Sequence, residues 1–282
     1  MTILITGARG RVARAVLDRL HAAGLPVRAA SARPADLAVP DGVETAELVL
    51  DRPETFAAAL DGVRQVFLYP EPAGIGAFTE AARAVGVERV VLLSSSSVLA
   101  PDAETDPLAS HNLGVERALT ASGLPCAFLR AGAFAGNALA WAHPIGHGLP
   151  VQLAYPEASV APIHAEDIAD VAVEALTGTA LRGRAVTLTG PQALTFREQL
   201  AVLAEVLGCE IAVQGISRAE AEEQMARFMP PVIIGSLLNF WAAASAAPAT
   251  IADTTETLLG TPARTFRQWA VENASAFTSQ GE

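Results

Sequence analysis

The chain has 282 residues, of which 51% are apolar, and a formal net charge of -11. This length allows one large α/β domain, or one domain with a smaller lobe, and is long enough to bury a full core. The acidic balance argues against a nucleic-acid partner, because proteins that bind the phosphate backbone concentrate positive charge. All 19 basic residues are arginines, which excludes any mechanism that requires a catalytic lysine.

The sequence also predicts where in the cell the chain is found and whether it contacts a membrane or forms disulfides. No uninterrupted apolar run approaches the length of a membrane-spanning helix, so no membrane partner is expected. The first residues resemble a strand rather than a signal peptide, and we therefore expect a cytoplasmic protein. Cys126 and Cys209 are predicted to be free thiols. The sequence leaves the oligomeric state open, as a monomer or a homodimer.

The opening residues carry the most informative motif. An apolar run at residues 3–5 predicts a strand, and apolar residues at helical spacing after residue 11 predict a helix. Between them Gly7 and Gly10 lack a Cβ, so a pyrophosphate can contact backbone N–H groups at the helix N-terminus. A second predicted strand, residues 27–30, follows at the expected distance. The residues of this motif assigned to a dinucleotide are Gly7, Arg9, Gly10, Arg11 and Val12.

The type of dinucleotide is predicted from the end of the second strand. An acidic residue there would bind the ribose hydroxyls of NAD, whereas an arginine suits the 2′-phosphate of NADP. This position has no acid, and Arg33, with Arg9 and Arg28, offers positive charge. The alternative is that these arginines are solvated surface residues. NADP(H) is therefore favoured over NAD(H).

Further predicted strands, at residues 47–50, 65–69 and 89–93, alternate with predicted helices. This βαβ alternation is typical of a parallel sheet with right-handed crossovers. Ligands bind such sheets at the carboxyl ends of the strands. Asp51 is interpreted either as a helix cap or as a residue near the adenine. The residues assigned to the cofactor from these strand ends are Asp51, Leu68, Tyr69, Pro70 and Ser94.

Together these motifs resemble the NmrA-like, atypical branch of the extended short-chain dehydrogenase/reductases. The resemblance is carried by residues 6–12, 27–28, 86–95, 116–124 and 129–137, and it extends to residues 161–169 and 265–269. It implies an α/β fold with a doubly wound parallel Rossmann sheet and a smaller C-terminal substrate lobe. The implied boundaries are 1–134 for the Rossmann domain, with a returning segment near 160–178, and 135–282 for the partly discontinuous lobe. NAD(P) is implied between them, with the substrate over the nicotinamide.

The chain departs from the superfamily at its catalytic pair. Typical members carry Tyr-x-x-x-Lys on the helix after the serine-rich strand, and this comparison places Leu108 and Asn112 at the two positions. Neither leucine nor asparagine can replace the tyrosine and lysine as a general acid. The candidate replacements are His111, a residue type that titrates near neutral pH, Asn112, which can only orient a group, and Ser95 or Ser96.

The second half of the chain is predicted to form the substrate lobe. Its apolar residues are interpreted mainly as core, although a proline-interrupted helix pair can also close over a flat apolar substrate. His143 and His147 lack a suitably spaced third ligand, so no metal site is predicted. The residues assigned to a substrate pocket are Phe134, Trp141, Met225, Phe228 and Trp241. Within this lobe we predict strands at 185–189 and 210–213 and helices at 219–228 and 232–246, and we predict that residues 163–168 begin with a strand returning to the main sheet.

The predicted function is that of an NADPH-dependent oxidoreductase acting on a small apolar carbonyl or quinone-like compound. Hydride transfer would depend mainly on proximity, because the tyrosine–lysine pair is missing. Two alternatives stay open. One is an NADP(H)-binding redox sensor that changes its affinity for a protein. The other is an isomerase or cyclase that keeps NADP without net redox turnover.

Overall fold

The computed structural model describes residues 2–278. The strands are β1 (Thr2–Ile5), β2 (Val27–Ser31), β3 (Glu44–Glu47), β4 (Val63–Leu68), β5 (Arg89–Ser95), β6 (Cys126–Ala131), β7 (Val151–Leu153), β8 (Ser159–Val160), β9 (Ala185–Leu188), β10 (Leu194–Thr195) and β11 (Val213–Gly215). The helices are α1 (Arg11–Ala22), α2 (Phe56–Leu60), α3 (Ile75–Ala84), α4 (Pro107–Ser122), α5 (Ala142–Gly146), α6 (Ala165–Thr177), α7 (Phe196–Leu207), α8 (Arg218–Met225), α9 (Pro231–Ala244), α10 (Thr254–Leu259) and α11 (Phe266–Glu272).

The main sheet has seven strands in the order β3-β2-β1-β4-β5-β6-β9. The neighbouring pairs from β3 to β6 are all parallel. The strand order reverses between β1 and β4, and this switch point is where open α/β sheets bind ligands. The predicted doubly wound parallel sheet is confirmed.

The central strands are apolar because both of their faces are covered. In β5 the run from Arg89 to Ser94 is buried throughout, as expected for a parallel strand between two helical layers. On one side Phe56 of α2 and Phe78 of α3 meet edge to face, with ring centroids 5.7 Å apart. This core holds the carboxyl ends of β1, β4 and β5 in place.

The chain forms two compact units. The first contains Met1–Thr105, Ala109–Ala131 and Ala165–Thr187, and the second contains Asp106–Leu108, Gly132–His164 and Leu188–Glu282. In the second unit Phe196 packs edge to face against Trp141 at 5.8 Å and against Trp241 at 5.4 Å. None of the helices formed by residues 2–278 combines the length and apolar character that crossing a membrane requires.

Two strand predictions near the sheet edges were wrong. The third strand is Glu44–Glu47 rather than residues 47–50. This edge strand is polar because little of it is covered, whereas the apolar Leu48 and Leu50 are buried in the segment that follows. The strand after Cys209 is Val213–Gly215 rather than residues 210–213.

The seventh strand of the main sheet was also misassigned. Residues 185–189 were predicted in the second lobe, but Ala185–Leu188 forms β9 beside β6, where the N–H of Phe128 donates to the Arg184 carbonyl at 2.9 Å. Ile163, predicted to return to that sheet, forms only an isolated bridge with Phe134. Local patterns predict that a segment is extended, but they do not indicate which strand it pairs with.

The two predicted helices around the prolines are present with shifted ends. Helix α8 spans Arg218–Met225 and α9 spans Pro231–Ala244. The side chain of Ser217 accepts a hydrogen bond from Glu220 N and so caps α8. Pro231 occupies the first turn of α9, where the missing N–H of proline costs no hydrogen bond.

Candidate dinucleotide-binding site

The glycine turn between β1 and α1 forms a cradle of backbone groups. Gly7 has a positive φ of 62°, which favours glycine. The N–H of Gly10 donates to the Gly7 carbonyl at 2.8 Å and closes the turn. Because the residue capping α1 is Gly10, no N-cap side chain covers the first N–H groups of the helix. The N-terminus of α1 therefore fits an anionic group such as a pyrophosphate.

The end of β4 packs closely against this turn. The N–H of Tyr69 donates to the Thr6 hydroxyl at 2.7 Å. A Cβ added to Gly7 would lie only 3.0 Å from the Cβ of Tyr69. The absence of a side chain at Gly7 thus allows the carboxyl ends of β1 and β4 to approach each other at the switch point.

The structure brings most of the predicted cofactor residues to this edge. Gly7 and Gly10 form the turn, and residues 68–70 follow or end β4. Leu68 and Pro70 are buried, whereas Tyr69 is 55% exposed. The remaining residues of this group have mixed exposure, with Val12 buried and Arg9, Arg11 and Asp51 exposed.

Two of the arginines near the second strand have different surroundings. Arg33 follows β2, is 69% exposed, and pairs with Asp36 at 3.1 Å. This arginine can reach a phosphate by giving up one exposed ion pair, which contributes little to stability. Arg28 instead bonds to Glu44 at 2.7 Å and to the carbonyl oxygens of Ala59 and Asp61. The guanidinium of Arg28 supports the fold, and these bonds do not favour its suggested phosphate role.

A buried polar network missed by the sequence reasoning lies beside Ser94. The Ser94 hydroxyl donates to Glu116 Oε1 at 2.6 Å. Arg130 donates to both carboxylate oxygens of Glu116, at 3.0 and 2.6 Å, and these bonds raise the pKa of Arg130. The side chain of Glu116 is only 5% exposed. The network joins β5, α4 and β6. The sequence signal that could have indicated it is the glutamate at a position of α4 that faces the core.

We expect Glu116→Gln to lower the free energy of unfolding by about 3 kcal/mol, because Arg130 would lose its buried counter-ion. Urea denaturation measures this change. Since the pKa of Arg130 is raised, its contribution is fully present below the ordinary pKa of arginine and is lost only at higher pH. The control is Glu157→Gln in the exposed pair with Arg197, with an expected loss below about 1 kcal/mol. Equal losses in the two variants would contradict this account.

The catalytic candidates lie on α4 and after β5. His111 is exposed, and its Nε2 lies 3.2 Å from the Pro70 carbonyl oxygen. Because a carbonyl oxygen only accepts, Nε2 is the protonated nitrogen in this contact and Nδ1 can accept a proton. Asn112 is half-buried. The Ser95 hydroxyl oxygen accepts hydrogen bonds from the N–H and the hydroxyl of Ser97. The structure thus connects His111 directly to the loop after β4.

The residues predicted to line a substrate pocket lie in the second unit. Trp141 and Trp241 are half-buried around Phe196. Met225 packs against the small core beneath α9, whereas Phe228 is 85% exposed. Phe134 is half-buried beside Ile163. These side chains do not form one cluster, and their role in substrate binding stays a prediction.

The two neighbouring histidines of the second unit are on α5 and directly after it. The rings of His143 and His147 lie 4.2 Å apart, and both side chains are exposed. Among residues 2–278 no group of three or more histidine, cysteine, aspartate or glutamate side chains is arranged to hold a metal ion.

The site geometry agrees with the comparison to protein families. Residues 7–179, which include the glycine turn, match the family described as NAD(P)H-binding. The chain belongs to this NAD(P)H-binding family. This match confirms the prediction that the chain binds an NAD(P)H-type dinucleotide.

Two relatives match this chain over nearly its whole length. The chain is 39% identical to a (4-alkanoyl-5-oxo-2,5-dihydrofuran-3-yl)methyl phosphate reductase of Streptomyces griseus, over 99% of this chain and 100% of the relative. It is 32% identical to an NAD(P)H azoreductase of Xenophilus azovorans, over 98% and 99% of the two chains. The predicted oxidoreductase class is confirmed.

A solved structure supports the fold independently. The triphenylmethane reductase of Citrobacter sp., complexed with NADP(H), matches 97% of this chain and 100% of its own with a TM-score of 0.80. The two chains are 21% identical. This likeness confirms the Rossmann-type architecture predicted from the NmrA-like resemblance.

Proposed function

We propose that the chain is an NADPH-dependent reductase of a small apolar carbonyl or quinone-like acceptor. The observation that carries this proposal is the uncapped glycine turn at the switch point of the sheet. Two relatives that match nearly the whole chain support it. One is named as a reductase of an oxo-dihydrofuran phosphate, and the other is named as an azoreductase.

The roles of the residues follow from their positions. The backbone N–H groups after Gly10 would hold the pyrophosphate, and Arg33 would bind the 2′-phosphate. When bound, NADPH supplies the hydride. The acceptor also needs one proton, and His111 is the candidate donor: its Nδ1, which is not used in the Pro70 contact, would take a proton from water and pass it to the reduced acceptor. With Leu108 and Asn112 in place of tyrosine and lysine, positioning carries most of the rate enhancement.

The coenzyme preference gives a direct test of the arginine assignment. We expect NADPH to bind at least about tenfold more tightly than NADH, or about 1.4 kcal/mol. Arg33→Gln is expected to reduce this ratio to near one, because glutamine carries no charge for the 2′-phosphate. Arg52→Gln is the matched control, since Arg52 is also exposed and ion-paired. Fluorescence titration with the four nucleotides measures the ratios, and an unchanged ratio in Arg33→Gln would refute the assignment.

Turnover tests the proposed reaction. NADPH oxidation, followed by absorbance, is measured with a naphthoquinone, an azo dye and an acyl-substituted unsaturated lactone. We expect turnover with at least one acceptor and none without acceptor. NADPH binding without turnover of any acceptor would instead favour the redox sensor, for which the missing tyrosine and lysine are the supporting observation.

A further inference from the structure

Helix α9 has an unusual distribution of polar and apolar residues. Its Ser236 is only 6% exposed, whereas Val232 is 60% and Phe240 is 52% exposed. A buried hydroxyl is costly unless it makes a hydrogen bond. The partner of Ser236 therefore indicates what this helix is built to hold.

That partner is the residue directly before α4. The Ser236 hydroxyl donates to Oδ2 of Asp106. The other oxygen, Oδ1, accepts the N–H of Leu108 at 2.9 Å in the first turn of α4. Hydrogen bonds to an ionised carboxylate are about twice as strong as neutral ones. A single carboxylate thus connects the middle of α9 with the start of α4.

His111 lies on the helix that begins at this point. Helix α4 is continuous from Pro107 to Ser122, and His111 follows Leu108 by three residues, or about 4.5 Å along the axis. The ring of His111 lies 3.2 Å from the Pro70 carbonyl oxygen in the loop after β4. A shift of the first helical turn would therefore change the distance between His111 and this loop.

We propose that Ser236 and Asp106 are positioning residues for the reductase reaction. They hold residues 106–108 in place and thereby fix the start of the helix that carries His111. This inference rests on the proposed function for its effect on turnover. Nucleotide binding is not expected to change, because the proposed phosphate contacts are made by the glycine turn and Arg33.

The kinetic test compares a serine within α9 with the serine that directly follows this helix. Ser236→Ala is expected to lower kcat about tenfold and to leave the Kd of NADPH within twofold of the wild-type value. Ser245→Ala is the control, because that exposed hydroxyl donates to the nearby Trp241 carbonyl of α9, and wild-type kcat is expected. Asp106→Asn should retain most activity, since its amide can accept from Leu108 N–H and donate to Ser236. A loss of NADPH affinity equal to the loss of kcat would overturn the proposal.

Hydrogen–deuterium exchange tests the connection without turnover. In Ser236→Ala, peptides covering residues 106–113 are expected to exchange faster, whereas in Ser245→Ala they should match the wild-type protein. Unchanged exchange of these peptides in Ser236→Ala would overturn the proposal. If the wild-type protein reduces no acceptor, the proposed function fails, and the exchange result alone decides whether α9 holds the start of α4.

Discussion

Replacing Gly10 by aspartate is expected to abolish NADPH binding and reductase activity together. Gly10 directly precedes α1, and a Cβ there would already lie 3.2 Å from the Gly7 carbonyl oxygen. The carboxylate would cap the N–H groups of α1 and repel the pyrophosphate. Each hydrogen bond to a charged group contributes about 1.5–3 kcal/mol. Loss of two such bonds predicts an affinity at least about 100-fold lower.

Two controls separate the charge from the added side chain and from general effects. Gly10→Ala carries the Cβ without the carboxylate, and we expect a smaller loss of affinity. Gly215→Asp adds the same charge in β11, where an added Cβ meets no heavy atom within 4 Å, and NADPH should bind as to the wild-type protein. Calorimetric titration measures the three affinities. Full activity in Gly10→Asp would show that the turn does not hold the nucleotide.

Replacing Gly74 by alanine is expected to destabilise the first unit by more than about 4 kcal/mol, which is exceptional for a single substitution. Gly74 has a positive φ of 71°, and an added Cβ would lie 1.6 Å from the Leu50 carbonyl oxygen. The backbone conformation alone costs about 1–2 kcal/mol for alanine. The overlap would additionally force apart the segment after β3 and the loop between β4 and α3.

Gly62→Ala isolates the two contributions to this loss. Gly62 has a similar φ of 69°, but an added Cβ would meet no heavy atom within 4 Å. We expect only the conformational cost of about 1–2 kcal/mol. Urea unfolding followed by circular dichroism compares the variants, and failure of Gly74→Ala alone to fold agrees with the prediction. Similar stabilities of the two variants would show that the Leu50 segment moves aside easily.

The cofactor half of the candidate site was largely predictable because its determinants are local. A strand, two glycines and a helix within about a dozen residues indicate the turn, and the loop at Tyr69 follows from the sheet rule for strand ends. The partners of charged residues were less predictable. Arg28 was assigned to a phosphate but is bonded to Glu44, and Glu116 was not recognised as the centre of a buried network.

The sequence by itself determined the fold class and the glycine turn, because periodicity and backbone freedom depend on neighbouring residues. It did not determine that Ala185–Leu188 completes the main sheet or that Asp106 accepts from Ser236, 130 residues away. Such pairings depend on which surfaces become adjacent when the elements pack. Local propensity carries no information about that adjacency, so only the tertiary structure decided them.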